Sequence, residues 1–260
     1  MSNNFDTHQN HYIYIKKDSI PLVFIHGVGL DHQMWDPQID NLKEFSTITY
    51  DLLGHGKTPC KKDKLSLNDF SNQLIKILEH LKIDKIHLIG FSLGSLIALD
   101  FVSKIQNKVN KLILIGTTYK RTIEERSLVI DRYNQAKLNK PISKQALKRW
   151  FTDKYLEENP KTYDSFMNIL NKNSVDHKNF LKAYELFANH EDNIPLIQGI
   201  SSKTLVMTGS DDPGSTPAMS KELVKDIPNS SYIEINKGKH LCSIECADDV
   251  NINIRNFINN

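Results

Sequence analysis

Cysteine is scarce in this chain of 260 residues, and its three cysteines form no Cys-x-x-Cys pair. An odd count without such pairs argues against a disulfide framework and against a zinc ribbon. Apolar runs are also short, and none approaches the roughly 20 residues of a membrane-spanning helix. Because the N-terminus shows no basic segment followed by an apolar one, we expect a soluble, cytoplasmic protein with no membrane partner.

An excess of charge is missing too. The 33 lysines and arginines nearly balance the 31 aspartates and glutamates, which leaves a formal net charge of +2. This balance gives no electrostatic footprint for nucleic acid, so a small molecule is the expected partner. The sequence contains no His-Glu-x-x-His run or comparable ligand cluster, and we expect neither a metal nor a cofactor.

Short apolar runs alternate with helical periodicity along most of the chain. The expected strands cover residues 12–16, 21–25, 47–50, 86–90, 112–116, 204–208 and 231–235. Between them, apolar residues from Phe70 to Leu81 fall on one helical face, with Ser66 and Asp69 as a capping pair. This order predicts an α/β fold: a mainly parallel sheet flanked by helices, with ligand chemistry at the carboxyl ends of the strands.

The pattern changes between residues 119 and 195, where the sequence is charged, rich in aromatic residues and helical in period. No clear strand occurs there. We interpret residues 119–195 as a helical lid inserted into a core domain formed by residues 1–118 and 196–260.

A Gly-x-Ser-x-Gly pentapeptide at residues 90–94 follows an expected strand and opens an expected helix. A sharp turn between strand and helix would present the hydroxyl of Ser92 above the sheet, as a nucleophile requires. The alternative is a chance match in which Ser92 merely caps the helix. The flanking strand and helix favour the nucleophile.

A serine nucleophile needs a histidine base, and the histidine needs an acid that orients it. His240 follows the last expected strand, and Asp211 and Asp212 follow the one before it, which gives the order serine, acid, histidine. A surface histidine is the alternative for His240. Spacing alone does not choose between the two adjacent aspartates.

Acyl transfer also requires N–H donors for the developing oxyanion. We expect the backbone N–H groups of Leu93, directly after the nucleophile, and of Val28, after the first buried strand. His26 and His55 precede the nucleophile strand and are interpreted as hydrogen bonders that support loops. Asp51 is expected to hold its own loop, and His32 to be an ordinary surface residue.

Several motifs together resemble the α/β-hydrolase family. They are His26-Gly27-Val28-Gly29-Leu30 with Met34-Trp35 after it, Asp51-Leu52-Leu53-Gly54-His55-Gly56, Gly90-Phe91-Ser92-Leu93-Gly94, Gly209-x-x-Asp212, and His240. The resemblance covers almost the whole chain outside the proposed lid. It implies the α/β-hydrolase fold, favours Asp212 over Asp211 as the acid, and assigns an oxyanion N–H to Val28.

Within that family, Arg149-Trp150-Phe151-Thr152 followed by Tyr155 is similar to the lid segment of 3-oxoadipate enol-lactonases. The similarity implies that Trp150 lines the substrate pocket, and Arg149 is our candidate for binding a carboxylate. Alternatively, Trp150 belongs to the lid core and Arg149 faces water. Four of the five arginines lie in the proposed lid, which favours an anionic substrate.

These observations predict a serine hydrolase that cleaves a carboxylic ester or lactone of a small molecule, on the pattern of 3-oxoadipate enol-lactonase. The alternatives are a general carboxylesterase, an acyl methyl-ester esterase, or a receptor that uses the hydrolase fold with little turnover. A dinucleotide enzyme is disfavoured because His32 stands where the Gly-x-Gly-x-x-Gly fingerprint requires glycine.

Overall fold

The computed structural model describes residues 4–138, 143–175 and 177–260. One sheet of eight strands forms its centre, in the spatial order β1-β2-β4-β3-β5-β6-β7-β8. The strands are β1 (Asn4–Phe5), β2 (His11–Ile15), β3 (Leu22–Ile25), β4 (Thr47–Tyr50), β5 (Ile86–Phe91), β6 (Val109–Ile115), β7 (Lys203–Gly209) and β8 (Ser230–Ile235).

Six adjacent strands of the sheet run parallel, in the order β4-β3-β5-β6-β7-β8. Strands β1 and β2 are antiparallel to their neighbours. The predicted strands therefore all form. One further strand, β1, pairs with the outer side of β2 and was not predicted. Two residues are too few to give a periodic signal in the sequence.

Helices connect the strands and cover both faces of the sheet. They are α1 (Asp36–Asn41), α2 (Leu67–Leu81), α3 (Leu93–Lys104), α4 (Ile123–Lys137), α5 (Ser143–Trp150), α6 (Asp153–Glu158), α7 (Pro160–Val175), α8 (His177–Asn189), α9 (Ile194–Gln198), α10 (Pro217–Asp226), α11 (Cys242–Glu245) and α12 (Ala247–Asn259). Short 3-10 turns occupy His32–Trp35 and Gln106–Lys108. The predicted capping box is present, since the side chains of Ser66 and Asp69 each accept the other's backbone N–H.

Two apolar layers form because successive side chains of a strand point to opposite faces. In β6, Leu112 and Leu114 face the layer covered by α2, α3 and α10, whereas Ile113 and Ile115 face the layer covered by α11 and α12. The central strands are buried on both faces, which explains their nearly continuous apolar sequences. The predicted α/β class is confirmed.

Helices α4 to α9 all lie between β6 and β7, in the segment predicted as a lid. In this segment α4 packs against α8, and α5 against α7. The division of the chain into a core domain and a lid domain stays a prediction. Helix α9 (Ile194–Gln198) spans the expected boundary at residue 195. No described helix has both the length and the apolar character needed to cross a membrane.

Candidate active site

The turn between β5 and α3 carries Ser92. Its backbone has φ +53° and ψ −115°, a conformation that costs free energy for a residue with a side chain. The glycines on either side allow it. A Cβ atom on Gly90 would lie 2.4 Å from the carbonyl oxygen of Gly94, and one on Gly94 would lie 2.2 Å from that of Ile25. The tight turn thus requires glycine at both positions, as the pentapeptide predicts.

His240 and Asp212 reach the same turn from the loops that follow β8 and β7. The Nε2 atom of His240 lies 3.2 Å from Ser92 Oγ, and its Nδ1 atom lies 2.7 Å from Asp212 Oδ2. Ser92 is only 4% exposed, and the side chain of Asp212 is fully buried. The structure therefore joins the three residues in one chain of hydrogen bonds, although they are far apart in sequence.

Asp212 and Asp211 differ sharply in their surroundings. The second oxygen of Asp212 accepts hydrogen bonds from the backbone N–H groups of Gly214 (2.8 Å) and Ser215 (2.9 Å). Asp211 is exposed, and its carboxylate accepts a bond from its neighbour Ser210. Of the two aspartates, Asp212 is the one that contacts His240.

The hydrogen-bond network fixes the tautomer of His240. A buried carboxylate can only accept, so Nδ1 of His240 carries the proton and donates it to Asp212. Its Nε2 atom is then a lone-pair acceptor for the hydroxyl proton of Ser92. This is the arrangement in which a histidine can remove a proton from a serine.

Two N–H groups next to Ser92 are candidates for an oxyanion site. Leu93 is the first residue of α3, so its N–H has no acceptor within the helix. Val28 lies in the loop after β3 and lines the same cavity as Ser92. Within the described part of the chain, neither N–H donates a hydrogen bond outside its own element.

Two buried histidines hold the loop that contains Val28. Nε2 of His26 accepts the N–H of Leu52 at 2.9 Å, and Nε2 of His55 accepts the N–H of Gly29 at 3.1 Å. Burial lowers the pKa of His26 to about 3 and that of His55 to about 4, which keeps both rings neutral and able to accept. Both support loops, as the sequence predicts.

His32 is not the ordinary surface residue that we expected. Its backbone N–H and its Nδ1 both bond Asp51 Oδ1, at 3.0 and 2.7 Å. The other oxygen of Asp51 accepts from His11 Nδ1 (2.8 Å) and from the N–H of Lys57 (2.9 Å). Asp51 thus holds its own loop and also the segment after Val28. Periodicity carries no signal for such a contact between loops.

The Asp51 cluster also brings together three potential metal-binding groups, since ligand atoms of His11, His32 and Asp51 lie within 4.8 Å of one another. Each oxygen of Asp51, however, already accepts two hydrogen bonds, which occupy the lone pairs that a cation would use. Although burial raises the pKa of Asp51, bonds from His11 and His32 hold it well below its usual range. The geometry of this cluster is therefore that of an Asp51 carboxylate held by hydrogen-bond donors rather than that of a metal site.

A cavity of about 840 Å³, including its opening to solvent, lies over Ser92 and His240. Arg149 and Trp150 both line it. Apolar side chains make up much of the remaining wall: Val28, Leu30, Phe91, Val129, Ala146, Leu170, Phe180 and Phe187. Arg132 and Tyr184 also line the cavity, and sequence reasoning did not select them. The abundance of arginine between residues 119 and 195 was the available signal, but it does not show which arginines point inward.

A family model described as the alpha/beta hydrolase fold matches residues 20–246. The chain belongs to the alpha/beta hydrolase family. The match includes the Ser92 turn, Asp212, His240 and the whole segment between β6 and β7. The resemblance inferred from the sequence motifs is therefore confirmed.

Proteins similar to this chain include two from Acinetobacter baylyi. An (E)-2-((N-methylformamido)methylene)succinate hydrolase is 29% identical over 255 residues, which are 96% of this chain and 93% of the relative. A 3-oxoadipate enol-lactonase 2 is 25% identical over 245 residues, 92% and 89% of the two chains. The crystal structure of an enol-lactonase from Burkholderia xenovorans LB400 shares the fold, with a TM-score of 0.87, 23% identity, and coverage of 96% and 97%.

Proposed function

We propose that this chain is a serine hydrolase that cleaves a carboxylic ester or lactone of a small molecule through an acyl-enzyme. The observation that carries the proposal is the chain of hydrogen bonds from Ser92 through His240 to Asp212, located at the floor of a cavity. The activities named for the relatives, a hydrolase and enol-lactonases, support the same reaction class.

The geometry supports acylation in the following order. His240 Nε2 takes the proton of Ser92 as Oγ attacks the substrate carbonyl carbon, and the carbonyl oxygen becomes an oxyanion. Collapse of this intermediate breaks the bond from the carbonyl carbon to the leaving oxygen, which receives the proton from His240. In a lactone, the released alcohol remains attached to the acyl group.

Deacylation repeats the sequence with water. His240 removes a proton from a water molecule, the resulting hydroxide attacks the acyl carbon, and the proton returns to Ser92 Oγ as the free acid leaves. Asp212 keeps Nδ1 protonated throughout and stabilises the positive charge of the imidazolium. The buried Asp212 carboxylate, bonded to two backbone N–H groups, is held in place for this role.

The oxyanion would be stabilised by the N–H groups of Val28 and Leu93. In characterised hydrolases, loss of one such donor costs about 3 to 4 kcal/mol of transition-state stabilisation. The Val28 loop is held by His26 and His55, so it is rigid before substrate arrives. A rigid donor needs no reorganisation when charge develops.

We assign substrate contacts to Trp150 and Arg149, because both line the cavity above Ser92. The indole provides apolar area, and the guanidinium can bind a carboxylate with two parallel hydrogen bonds. These contacts favour a small ester or lactone that carries a negative charge, as in the enol-lactonase pattern. A general carboxylesterase or a receptor with little turnover would use the same cavity without this preference.

Labelling by a fluorophosphonate probe, together with hydrolysis of p-nitrophenyl esters, tests the proposal. Ser92→Ala should abolish both signals, because among the described residues Ser92 supplies the hydroxyl that is hydrogen-bonded to His240. Ser103→Ala, on the same helix but bonded to the Asp100 carbonyl, is the matched control and should retain both. Labelling that persists in Ser92→Ala would contradict the mechanism. A wild-type protein that neither reacts nor hydrolyses would support the receptor instead.

A further inference from the structure

Two guanidinium groups from neighbouring helices line the same cavity. Arg132 comes from α4 and Arg149 from α5, and both belong to the cavity wall that also contains Ser92. The charge of Arg132 adds to the effect of burial in lowering the pKa of Arg149, so the two groups interact. The cavity wall thus carries two like charges among mostly apolar side chains.

Neither guanidinium forms an ion pair with a carboxylate among the described residues. Nη1 of Arg149 donates to the carbonyl of Gln145 at 3.1 Å, and the phenol of Tyr184 interacts with Arg132. Both partners are neutral. The one carboxylate that lines the cavity, Asp212, is already engaged by His240 and by two backbone N–H groups.

Two other arginines between β6 and β7 lie elsewhere in the same segment. Arg126 forms an ion pair of 3.0 Å with Glu191, and Arg121 donates to the carbonyls of Phe187 and His190. Neither of these arginines lines the cavity. Among the described residues, Arg132 and Arg149 are therefore the two arginines that face the place where the substrate would lie.

Both arginines are half-buried without a carboxylate partner in the described part of the chain, and two like charges in one pocket repel each other. A ligand with two negative groups would remove both penalties, since each guanidinium can bind a carboxylate with paired hydrogen bonds. A ligand with one carboxylate would leave one cation uncompensated. The two guanidinium groups together thus match a ligand with two negative groups.

We propose that Arg132 and Arg149 together bind the two carboxylates of a short dicarboxylic substrate, with Arg132 as a second specificity-determining residue. This inference rests on the proposed function, because it places the two carboxylates beside the bond that Ser92 attacks.

Binding to the Ser92→Ala protein tests the site without any need for turnover. Isothermal titration with succinate, butyrate and 1,4-butanediol compares two, one and no negative charges on similar carbon chains. We expect succinate to bind about 10- to 100-fold more tightly than butyrate, the range for hydrogen bonds to a charged group. Equal affinities for succinate and butyrate would overturn the proposal.

Substitutions in the same background locate the charges. Arg132→Ala and Arg149→Ala should each remove the preference for succinate over butyrate, and Arg132→Lys should retain part of it. Arg126→Ala, on the same helix as Arg132 but outside the cavity, should keep the full preference. Thermal melts show that each variant is folded. A preference that survives Arg132→Ala in a folded protein would exclude Arg132 from the site.

Turnover by the wild-type protein separates this inference from the proposed function. Esters with two, one and no free carboxylates should show falling kcat/KM in that order. Hydrolysis of all three at equal kcat/KM would overturn the dicarboxylate site and leave the serine mechanism standing. Preferential binding of succinate without hydrolysis of any ester would support the site and remove the proposed catalytic function.

Discussion

Replacing Asp212 with asparagine would move the ring proton of His240 from one nitrogen to the other. Most of the contacts of residue 212 would stay the same. Oδ1 of Asp212 accepts two backbone N–H groups, from Gly214 and Ser215, and Oδ2 accepts from His240. Only the oxygen of an asparagine can accept those two N–H groups. Its NH2 group is therefore forced to face His240 Nδ1, 2.7 Å from the present oxygen position.

An amide NH2 can only donate, so Nδ1 of His240 would become an acceptor and the ring proton would move to Nε2. Nε2 faces Ser92 Oγ at 3.2 Å, and once protonated it cannot take the hydroxyl proton. We expect kcat to fall about 10⁴-fold, the loss seen when a triad aspartate becomes asparagine. This corresponds to about 5.5 kcal/mol in activation free energy, with a much smaller change in KM.

Initial rates on a p-nitrophenyl ester, with thermal melts for folding, measure this effect. Asp211→Asn is the matched control, because Asp211 is exposed and lies beside the same strand end without touching His240. Its kcat should stay within about twofold of wild type, as for other surface substitutions. The argument fails if Asp212→Asn keeps kcat within tenfold of wild type, or if both variants lose activity equally.

Further predictions concern stability. Gly94→Ala should lower the free energy of unfolding by about 3 kcal/mol in urea denaturation, because its Cβ would lie 2.2 Å from the Ile25 carbonyl oxygen. Gly199→Ala, whose Cβ would meet nothing closer than 3.5 Å, is the control, and equal losses would contradict the steric argument. Below pH 6.5 the unfolded chain protonates His26 and His55, which stay neutral in the fold until about pH 3 and 4. Stability should therefore fall on acidification by up to about 1.4 kcal/mol per pH unit for each ring, and His55→Gln should reduce the slope; an unchanged slope would refute this assignment.

Local sequence patterns determined the strands of the sheet and the sharp turn at Ser92. Strands such as β6 are buried on both faces, so their apolar runs can be recognised in the sequence without any tertiary information. The Ser92 turn depends on backbone contacts that only glycine tolerates at positions 90 and 94, and a motif of this kind is visible in sequence. The order of a serine, two adjacent aspartates and a histidine along the chain likewise predicted that Ser92, His240 and one of the two aspartates would meet.

Tertiary structure decided every question of side-chain direction. Asp211 and Asp212 are adjacent and identical in chemistry, so the choice between them depends on which one the turn after β7 points inward. His32 contacts Asp51 between two loops, and loops carry no periodicity from which a partner could be inferred. Arg132 faces the cavity because of how α4 packs against α8, a property of the assembled helices rather than of the local sequence.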